Sequence, residues 1–163
     1  MAENSVQEEV LRQLEEYNAN KRRIAALRYE LEQYCDVTPD EMIESMSFSH
    51  GGDGVRSSVG HTSDKTPYIA LNYLKQAEEK NRRTREEILA EYLPVVRKVD
   101  RLEHYISLLE SQEAAVIYLT YRDRLKNIEI GKRIGMSAKS VSKVKRRALA
   151  QLCQMFDFTS MVR

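Results

Sequence analysis

Apolar side chains recur along much of the chain in alternating steps of four and three residues, the spacing of a narrow stripe on one side of an α-helix. The first such seam lies within residues 5–34 and consists of Val10, Leu14, Tyr17, Ile24 and Leu31, with Lys21 and Arg28 interrupting it. A seam this narrow predicts pairing with one other helix rather than burial in a broad core. The interruptions favour an antiparallel hairpin within the chain over a parallel dimer, although the pattern leaves both open.

Two more seams follow in the middle of the chain. The first is expected to begin at Pro67, with Thr66 as a candidate helix cap, and consists of Ala70, Leu74, Ala77, Thr84 and Ile88. Pro94 is expected to end or kink this helix, because proline lacks a backbone N–H. The second seam then repeats the spacing without interruption through Val95, Val99, Leu102, Ile106 and Leu109. The pattern therefore predicts an N-terminal helical arm at 1–46 and long coil-like helices at 67–109.

A stretch rich in Gly and Ser, residues 47–66, separates these two parts and predicts a flexible linker. Pro39 just before it is expected to interrupt the arm, with a short helix restarting there and running through Ser45. The linker also carries possible metal ligands in His50, Asp53, His61 and Asp64. A polar loop explains these residues more simply than a metal site does. We expect neither a metal nor a cofactor.

The character of the sequence changes after Leu109. Ser111 can cap a helix that starts at Gln112, and residues 122–126 then form a polar connection. Asn127 can cap a second, short helix that runs from Ile128 to Ile134. Two short helices in this order predict the start of a compact helical domain at 110–155.

A tight turn and a basic helix complete this domain. Gly135 can leave the short helix in the left-handed conformation, and Met136 can fill the space between crossing helices. Ser137 can cap a last helix that runs from Ala138 to about Gln154. The layout is that of a helix-turn-helix, so the whole chain is predicted to be all-α, with a helical arm or coiled-coil hairpin followed by a C-terminal helix-turn-helix domain.

The formal net charge of +1 conceals a strong asymmetry. The segment 121–152 has ten basic residues against the two acids Asp123 and Glu129, so it carries +8 while the rest of the chain carries −7. The ten are Arg122, Arg124, Lys126, Lys132, Arg133, Lys139, Lys143, Lys145, Arg146 and Arg147. A basic segment on an otherwise acidic chain is typical of a module that binds nucleic-acid phosphates.

The last helix can be divided into two faces at about 100° per residue. Val141, Val144, Ala148 and Leu152 fall on one stripe, and Lys139, Lys143 and Arg146 point away from it, with Ser142 beside them. A helix docked through its valines would present Lys139 and Lys143 from the half that enters the major groove, and Arg146 and Arg147 would meet phosphates. The candidate DNA-binding residues are therefore Ser137, Ala138, Lys139, Ser142, Lys143, Arg146 and Arg147.

The same residues resemble a known family. SQEAAVIYLTYR at 111–122 and NIEIGKRIGMSAKSVSKVKRRALAQL at 127–152 look like region four of bacterial sigma factors, the module that reads promoter −35 elements. The resemblance implies that Ala138, Lys139 and Lys143 face bases and that Ser142 meets the DNA backbone. The three base-facing residues depart from the primary sigma pattern, so a different target is expected, and lysine donors favour guanine.

No counterpart of the promoter-melting sigma region two accompanies this module. The layout is more similar to small sigma-like regulators encoded by phages and prophages of Gram-positive bacteria, which implies control of late genes. We therefore expect a cytoplasmic, sequence-specific regulator of transcription that binds double-stranded DNA, with RNA polymerase as a further possible partner and a homodimer through the arm as a possible state. The operator and the direction of regulation are not specified by the sequence.

The alternatives to a regulator are an enzyme, a phage small terminase subunit and a coiled-coil adaptor. An enzyme would need a nucleophile with its base, a metal cluster or paired carboxylates, and the scattered His50, His61 and His104 offer none of these. A phage small terminase subunit would also combine a helix-turn-helix with oligomerising helices, although it usually carries the DNA-binding module first. A coiled-coil adaptor could use its basic tail to bind acidic protein. No apolar run is long enough to span a membrane.

Overall fold

The computed structural model of the chain describes residues 2–42 and 65–160, and side chains within 5–42 and 72–158. Within these ranges every regular element is helical and no strand is present, which confirms the all-α prediction. The elements are α1 (Ala2–Gln33), α2 (Lys65–Ser107), α3 (Ser111–Ile117), α4 (Asn127–Ile134) and α5 (Ala138–Ser160). Residues 39–42 are also helical, and Tyr118–Arg122 forms a π-helical turn. Residues 43–64 lie outside the described residues. They include the predicted linker as far as residue 64 and the end of the short helix expected through Ser45.

Contacts divide the chain into two compact units. The first comprises Met1–Ala26 and Tyr92–Arg163, and the second comprises Leu27–Glu91. The first unit therefore brings the beginning of the predicted arm together with the basic C-terminal helices. That unit carries the candidate site.

The core of the first unit is built from the first and third seams of the sequence. Val10, Leu14 and Tyr17 of α1 are buried in one cluster with seam residues of α2 and with the distal part of α5. The rest of the cluster consists of Val99, Leu102, Ile106, Leu109, Ile117, Ala148, Leu152 and Phe156. This part of the α1 seam is thus packed against other helices of the same chain.

Polar contacts hold the outer side of α1 in this unit. The Tyr17 hydroxyl donates to Glu103 Oε1 at 2.6 Å, and Lys21 Nζ lies 3.1 Å from the same oxygen. Asn18 Nδ2 donates to the carbonyl of Arg122 at 2.8 Å, so α1 caps the end of the π-helical turn. Arg124, which has a positive φ of 58°, donates to the backbone carbonyl of Glu15 at 3.0 Å. The arm therefore contacts the connection between α3 and α4 directly.

Pro94 does not end its helix, contrary to the first of the two expectations from sequence. Helix α2 runs without interruption from Lys65 to Ser107, and it begins before Thr66, which is therefore not its cap. Proline in a helix interior costs about 3 kcal/mol relative to alanine. The buried residues Val95 and Val99 just beyond it offset that cost through tertiary packing.

In the second unit, the side-chain amide of Asn81 makes three hydrogen bonds to residues that follow α1. Asn81 accepts from the Tyr34 hydroxyl and from the backbone N–H of Val37, and it donates to the Val37 carbonyl at 3.0 Å. Arg85 pairs with Asp36 at 2.7 Å nearby. Leu74, which was placed in the second seam, is 44% exposed, so that seam is weaker than its spacing indicated.

The end of α5 belongs to the core of the first unit. Phe156 is buried and packs edge-on against Tyr105 with ring centroids 5.0 Å apart. Arg101 lies over the Phe156 ring, 4.7 Å from its centroid. Phe158 is 72% exposed. Helix α5 thus extends past the predicted end near Gln154, and Phe156 in this extension is covered by the core of the first unit.

Candidate nucleic-acid interface

Helix α4 begins one residue earlier than expected, because Lys126 and not Asn127 is its N-cap residue. Glu129 provides the cap by accepting from the Lys126 backbone N–H at 2.7 Å. The Asn127 side chain is consequently available for another contact. Helix α3 likewise begins at Ser111, with Glu110 as its N-cap residue in place of the predicted Ser111.

The turn between α4 and α5 is tight and depends on two glycines. Gly135 ends α4 with φ of 72° and ψ of 35°, the left-handed conformation predicted for it. Met136 N–H donates to the Gly131 carbonyl at 2.8 Å, which closes the turn back onto α4. A Cβ on Gly131 would collide with the Met136 carbonyl, so this position requires glycine for close approach. The importance of Gly131 was missed, although a glycine inside a helix-forming segment is itself a signal.

The turn and both helices close over a second hydrophobic cluster. Its buried members are Val116, Leu119, Ile130 and Val141. Met136 packs against this cluster together with Leu125, Ile134 and Val144, which confirms the role expected for a methionine in the turn. The cluster sets the crossing of α4 and α5 independently of α1.

Helix α5 is capped and anchored as its sequence predicted. Ser137 Oγ accepts from the Ser140 backbone N–H at 3.1 Å, the bond expected of an N-cap serine. On the inner side Val141, Ala148 and Leu152 have no exposed surface. Val144 is half-buried against the second cluster. The inner stripe therefore fixes which side of α5 faces outward.

The outward side of α5 carries exposed cations. Lys139, Lys143 and Arg146 are all exposed, and no ion pair involving them occurs among the described residues. They are spaced four and three residues apart, which places them on one face of a helix. We refer to Lys139, Lys143 and Arg146 as the basic stripe.

Arg147 lies next to the basic stripe in sequence but has a different environment. Its guanidinium pairs with the carboxylate of Glu113, which has no exposed surface, and with Glu110 at 2.8 Å. Gln151 also donates to Glu113 Oε1, at 3.2 Å. These carboxylates raise the pKa of Arg147, so it stays charged. Arg147 thus joins α5 to α3, a use that its place among the candidate DNA contacts did not anticipate.

Ser142 is tied to α4. Asn127 Nδ2 donates to Ser142 Oγ at 2.9 Å, and both side chains are half-buried. The remaining candidate residues lie at the start of α5, where Ser137 is exposed and Ala138 is half-buried. The structure therefore brings Ser137, Ala138, Lys139, Ser142, Lys143 and Arg146 together along α5 and its N-cap. Arg147, whose side chain is 56% exposed, pairs with Glu113 and Glu110.

Further cations surround this helix. Lys126, Lys132 and Arg133 are exposed on α4 and its N-cap, and Lys145 is half-buried on α5. Arg122 pairs with Asp123 at 2.9 Å, and the hydrogen bond from Arg122 holds the pKa of Asp123 below its ordinary value. The charges of Arg122 and Arg133 also lower this pKa, so Asp123 stays ionised and offsets part of the positive charge near both residues.

The described residues contain no group of three or more His, Cys, Asp or Glu side chains placed to hold a metal ion. The linker histidines and aspartates considered as ligands lie outside the described residues. Within the described ranges, none of the helices has the length and apolarity needed to cross a bilayer.

Comparison with known proteins adds no relative: no family model matches the chain, and neither the curated proteins nor the solved structures contain a match. The resemblance to sigma region four thus stays a prediction from the residues quoted above.

Proposed function

We propose that this protein is a sequence-specific regulator of transcription that binds double-stranded DNA through α4, the turn and α5 acting as a sigma region four-like helix-turn-helix. In this proposal α5 is the recognition helix and enters the major groove with its N-terminal half. The likeness to phage- and prophage-encoded regulators supports a role in late-gene control, with RNA polymerase as a second partner. The protein has no catalytic step of its own in this account.

One observation carries the proposal: the basic stripe is exposed and has no acidic partner within the described residues, while Val141, Ala148 and Leu152 on the opposite side of α5 have no exposed surface. Three neighbouring cations with no counter-charge repel one another, and DNA phosphates relieve that repulsion. The cations in turn displace counterions condensed on the DNA, which favours binding. Val141 and Ala148 prevent the helix from rotating those cations inward. Lys139 and Lys143 then supply contacts to base edges, and Arg146 contacts phosphate.

The base-reading part of the proposal is tested by selecting duplexes from a random pool with the wild-type protein and with Lys143→Ala. We expect the wild type to enrich a defined sequence and Lys143→Ala to relax the preference at one or two positions, at a cost of about 1–3 kcal/mol for the preferred base. Enrichment of the same sequence to the same degree by both proteins would remove Lys143 from the reading positions.

If the protein were instead a packaging protein related to small terminase subunits, we would expect a different assembly. Such proteins form rings, whereas a region four-like regulator requires no closed oligomer. The mass of the protein in solution, with and without DNA, separates the two: a monomer or dimer supports the regulator, and a ring supports packaging.

A further inference from the structure

We infer that Asn127 is a positioning residue for DNA, which holds the Ser142 hydroxyl so that its proton is directed to a phosphate oxygen of the duplex. The inference rests on the proposed function, since it names a contact made by the same recognition helix. It assigns a part in binding to Asn127, an uncharged residue that the sequence pattern predicts only as a helix cap.

The Asn127 side chain contacts α5 and does not cap α4. Asparagine at the start of a helix usually caps it, but here Glu129 already accepts from the backbone N–H of the N-cap residue Lys126. The Asn127 amide instead reaches across to α5 and donates to Ser142 Oγ at 2.9 Å. The bond joins two helices, so it fixes the hydroxyl relative to both.

The donor and acceptor roles follow from the chemistry of the two groups. A serine hydroxyl has one proton to donate and can accept through its lone pairs, whereas the NH₂ of an asparagine amide only donates. Ser142 is therefore the acceptor in this pair, and its own proton is left for another partner. Helical hydroxyls in this chain commonly spend that proton on the carbonyl four residues back, as Thr84 does on Lys80 and Thr120 on Val116.

In the described part of the chain, the Ser142 hydroxyl makes no such bond to the backbone, and its one hydrogen bond is the one that it accepts from Asn127. The hydroxyl proton thus has no acceptor among the residues that the structure describes. Ser142 lies beside Lys143 and between Lys139 and Arg146 along α5, at the edge of the basic stripe nearest α4. A phosphate oxygen drawn to the basic stripe is an acceptor without a proton of its own, which is the partner that this hydroxyl lacks.

The test is a double-mutant cycle on the full-length protein with Asn127→Ala, Ser142→Ala and both together. Dissociation constants are measured on a short random-sequence duplex over a range of salt concentrations, and the melting temperature of each variant is recorded. Thr84→Val serves as the control, because it removes a hydroxyl already spent on its own backbone.

We expect Ser142→Ala to weaken binding about tenfold, as for loss of one hydrogen bond to a charged group. Asn127→Ala should weaken binding by about three- to tenfold, and the double variant should bind no more weakly than Ser142→Ala alone. The slope of log affinity against log salt should stay at its wild-type value, because a neutral hydroxyl releases no counterion. Should Asn127→Ala fail to fold, Asn127→Asp takes its place, since an acid at a helix N-terminus is stabilising. Its carboxylate would accept the Ser142 proton, so binding should fall at least as far as in Ser142→Ala, and the double variant measures the added charge repulsion separately.

Losses that multiply in the double variant, or wild-type affinity for Asn127→Ala, would overturn the inference and leave the proposed function standing. A purely structural role would also overturn it, and would appear as a lowered melting temperature with a reduced salt slope. If the wild-type protein shows no salt-dependent binding to the duplex, the proposed function itself fails, and the inference fails with it.

Discussion

Glu113 is a carboxylate with no exposed surface, and three groups satisfy it: the Arg147 guanidinium, the Gln151 amide and the backbone N–H of Glu110. A buried charge that loses its partner is strongly destabilising, whereas neutralising both members of the pair is tolerated. Arg147→Ala should therefore lower the melting temperature, and adding Glu113→Gln should recover part of the loss. Thermal unfolding of the two single variants and the double variant measures this coupling.

The same cycle decides how Arg147 acts in DNA binding. If Arg147 acts mainly through the fold, the double variant Arg147→Ala with Glu113→Gln should regain stability and bind DNA with close to the wild-type salt slope. If the slope of log affinity against log salt is shallower by about 1 in the double variant, Arg147 contacts a phosphate.

The two glycines of the turn should differ in their tolerance of a side chain. Gly131→Ala drives a Cβ into the Met136 carbonyl and should cost about 1–3 kcal/mol through displacement of the backbone. Gly135 has open space around it, so Gly135→Ala should cost only the left-handed strain of about 1–2 kcal/mol. Denaturant unfolding of both variants provides the comparison. A smaller loss for Gly131→Ala than for Gly135→Ala would contradict the close approach described here.

At the scale of elements, Glu103 of α2 accepts hydrogen bonds from Tyr17 and Lys21 on the polar side of α1. Burial by itself raises the pKa of Glu103, but hydrogen bonds from Tyr17 and Lys21 outweigh it and hold the pKa below the ordinary value of 4.5. A lowered carboxyl pKa contributes stability above pH 4.5, and that contribution is lost as the pH falls through the folded-state pKa. Glu103→Gln should therefore be less stable than wild type at neutral pH, and the difference should shrink in acid.

Urea unfolding at neutral pH and at about pH 3 measures this difference. Asp100→Asn, which removes an exposed carboxylate from the same helix, is the matched control and should leave the pH dependence near that of the wild type. An equal loss at both pH values for Glu103→Gln would mean that its ionisation does not hold α1.

Elements whose structure depends on local sequence were predictable, and those that depend on distant partners were not. The left-handed Gly135, the Ser137 cap and the buried stripe of α5 follow from residues close to one another in the chain. The π-helical turn and the continuity of α2 through Pro94 do not, because tertiary contacts decide them.

The candidate site shows the same division. The angular pattern alone identified the outward face of α5, since a helix with three fully buried positions has one exposed side. The separate fates of Arg146 and Arg147 could not be read from the sequence, because Glu113 lies 34 residues from Arg147 along the chain. The contact between Asn127 and Ser142 was hidden for the same reason.

At the scale of the whole molecule, the first unit joins the start of α1 to the far half of α5 through one core. Leu14, which is 1% exposed, shares that core with Ala148 and Leu152. Leu14→Ala should cost about 2–5 kcal/mol of unfolding free energy, as for large-to-small changes in other cores. Leu108→Ala, at a site that is 58% exposed, should cost far less and serves as the control.

Denaturant unfolding followed by circular dichroism measures both variants. A loss below about 0.5 kcal/mol for Leu14→Ala would place it with ordinary surface substitutions and would contradict a shared core. The affinity for DNA, measured where Leu14→Ala is still folded, should match the wild type, because Leu14 is buried in the core, away from the outward side of α5.

The central claim is that the basic stripe on α5 binds DNA phosphates, and the salt dependence of binding tests it most directly. Affinity for a short duplex is measured against salt for the wild type and for the triple variant Lys139→Ala, Lys143→Ala, Arg146→Ala. The control triple variant is Lys80→Ala, Arg82→Ala, Arg83→Ala, which removes the same charge from exposed positions of the second unit. We expect the α5 triple variant to bind far more weakly with a log–log slope shallower by about 3, and the control to keep the wild-type slope. Equal slopes for all three proteins would contradict the account.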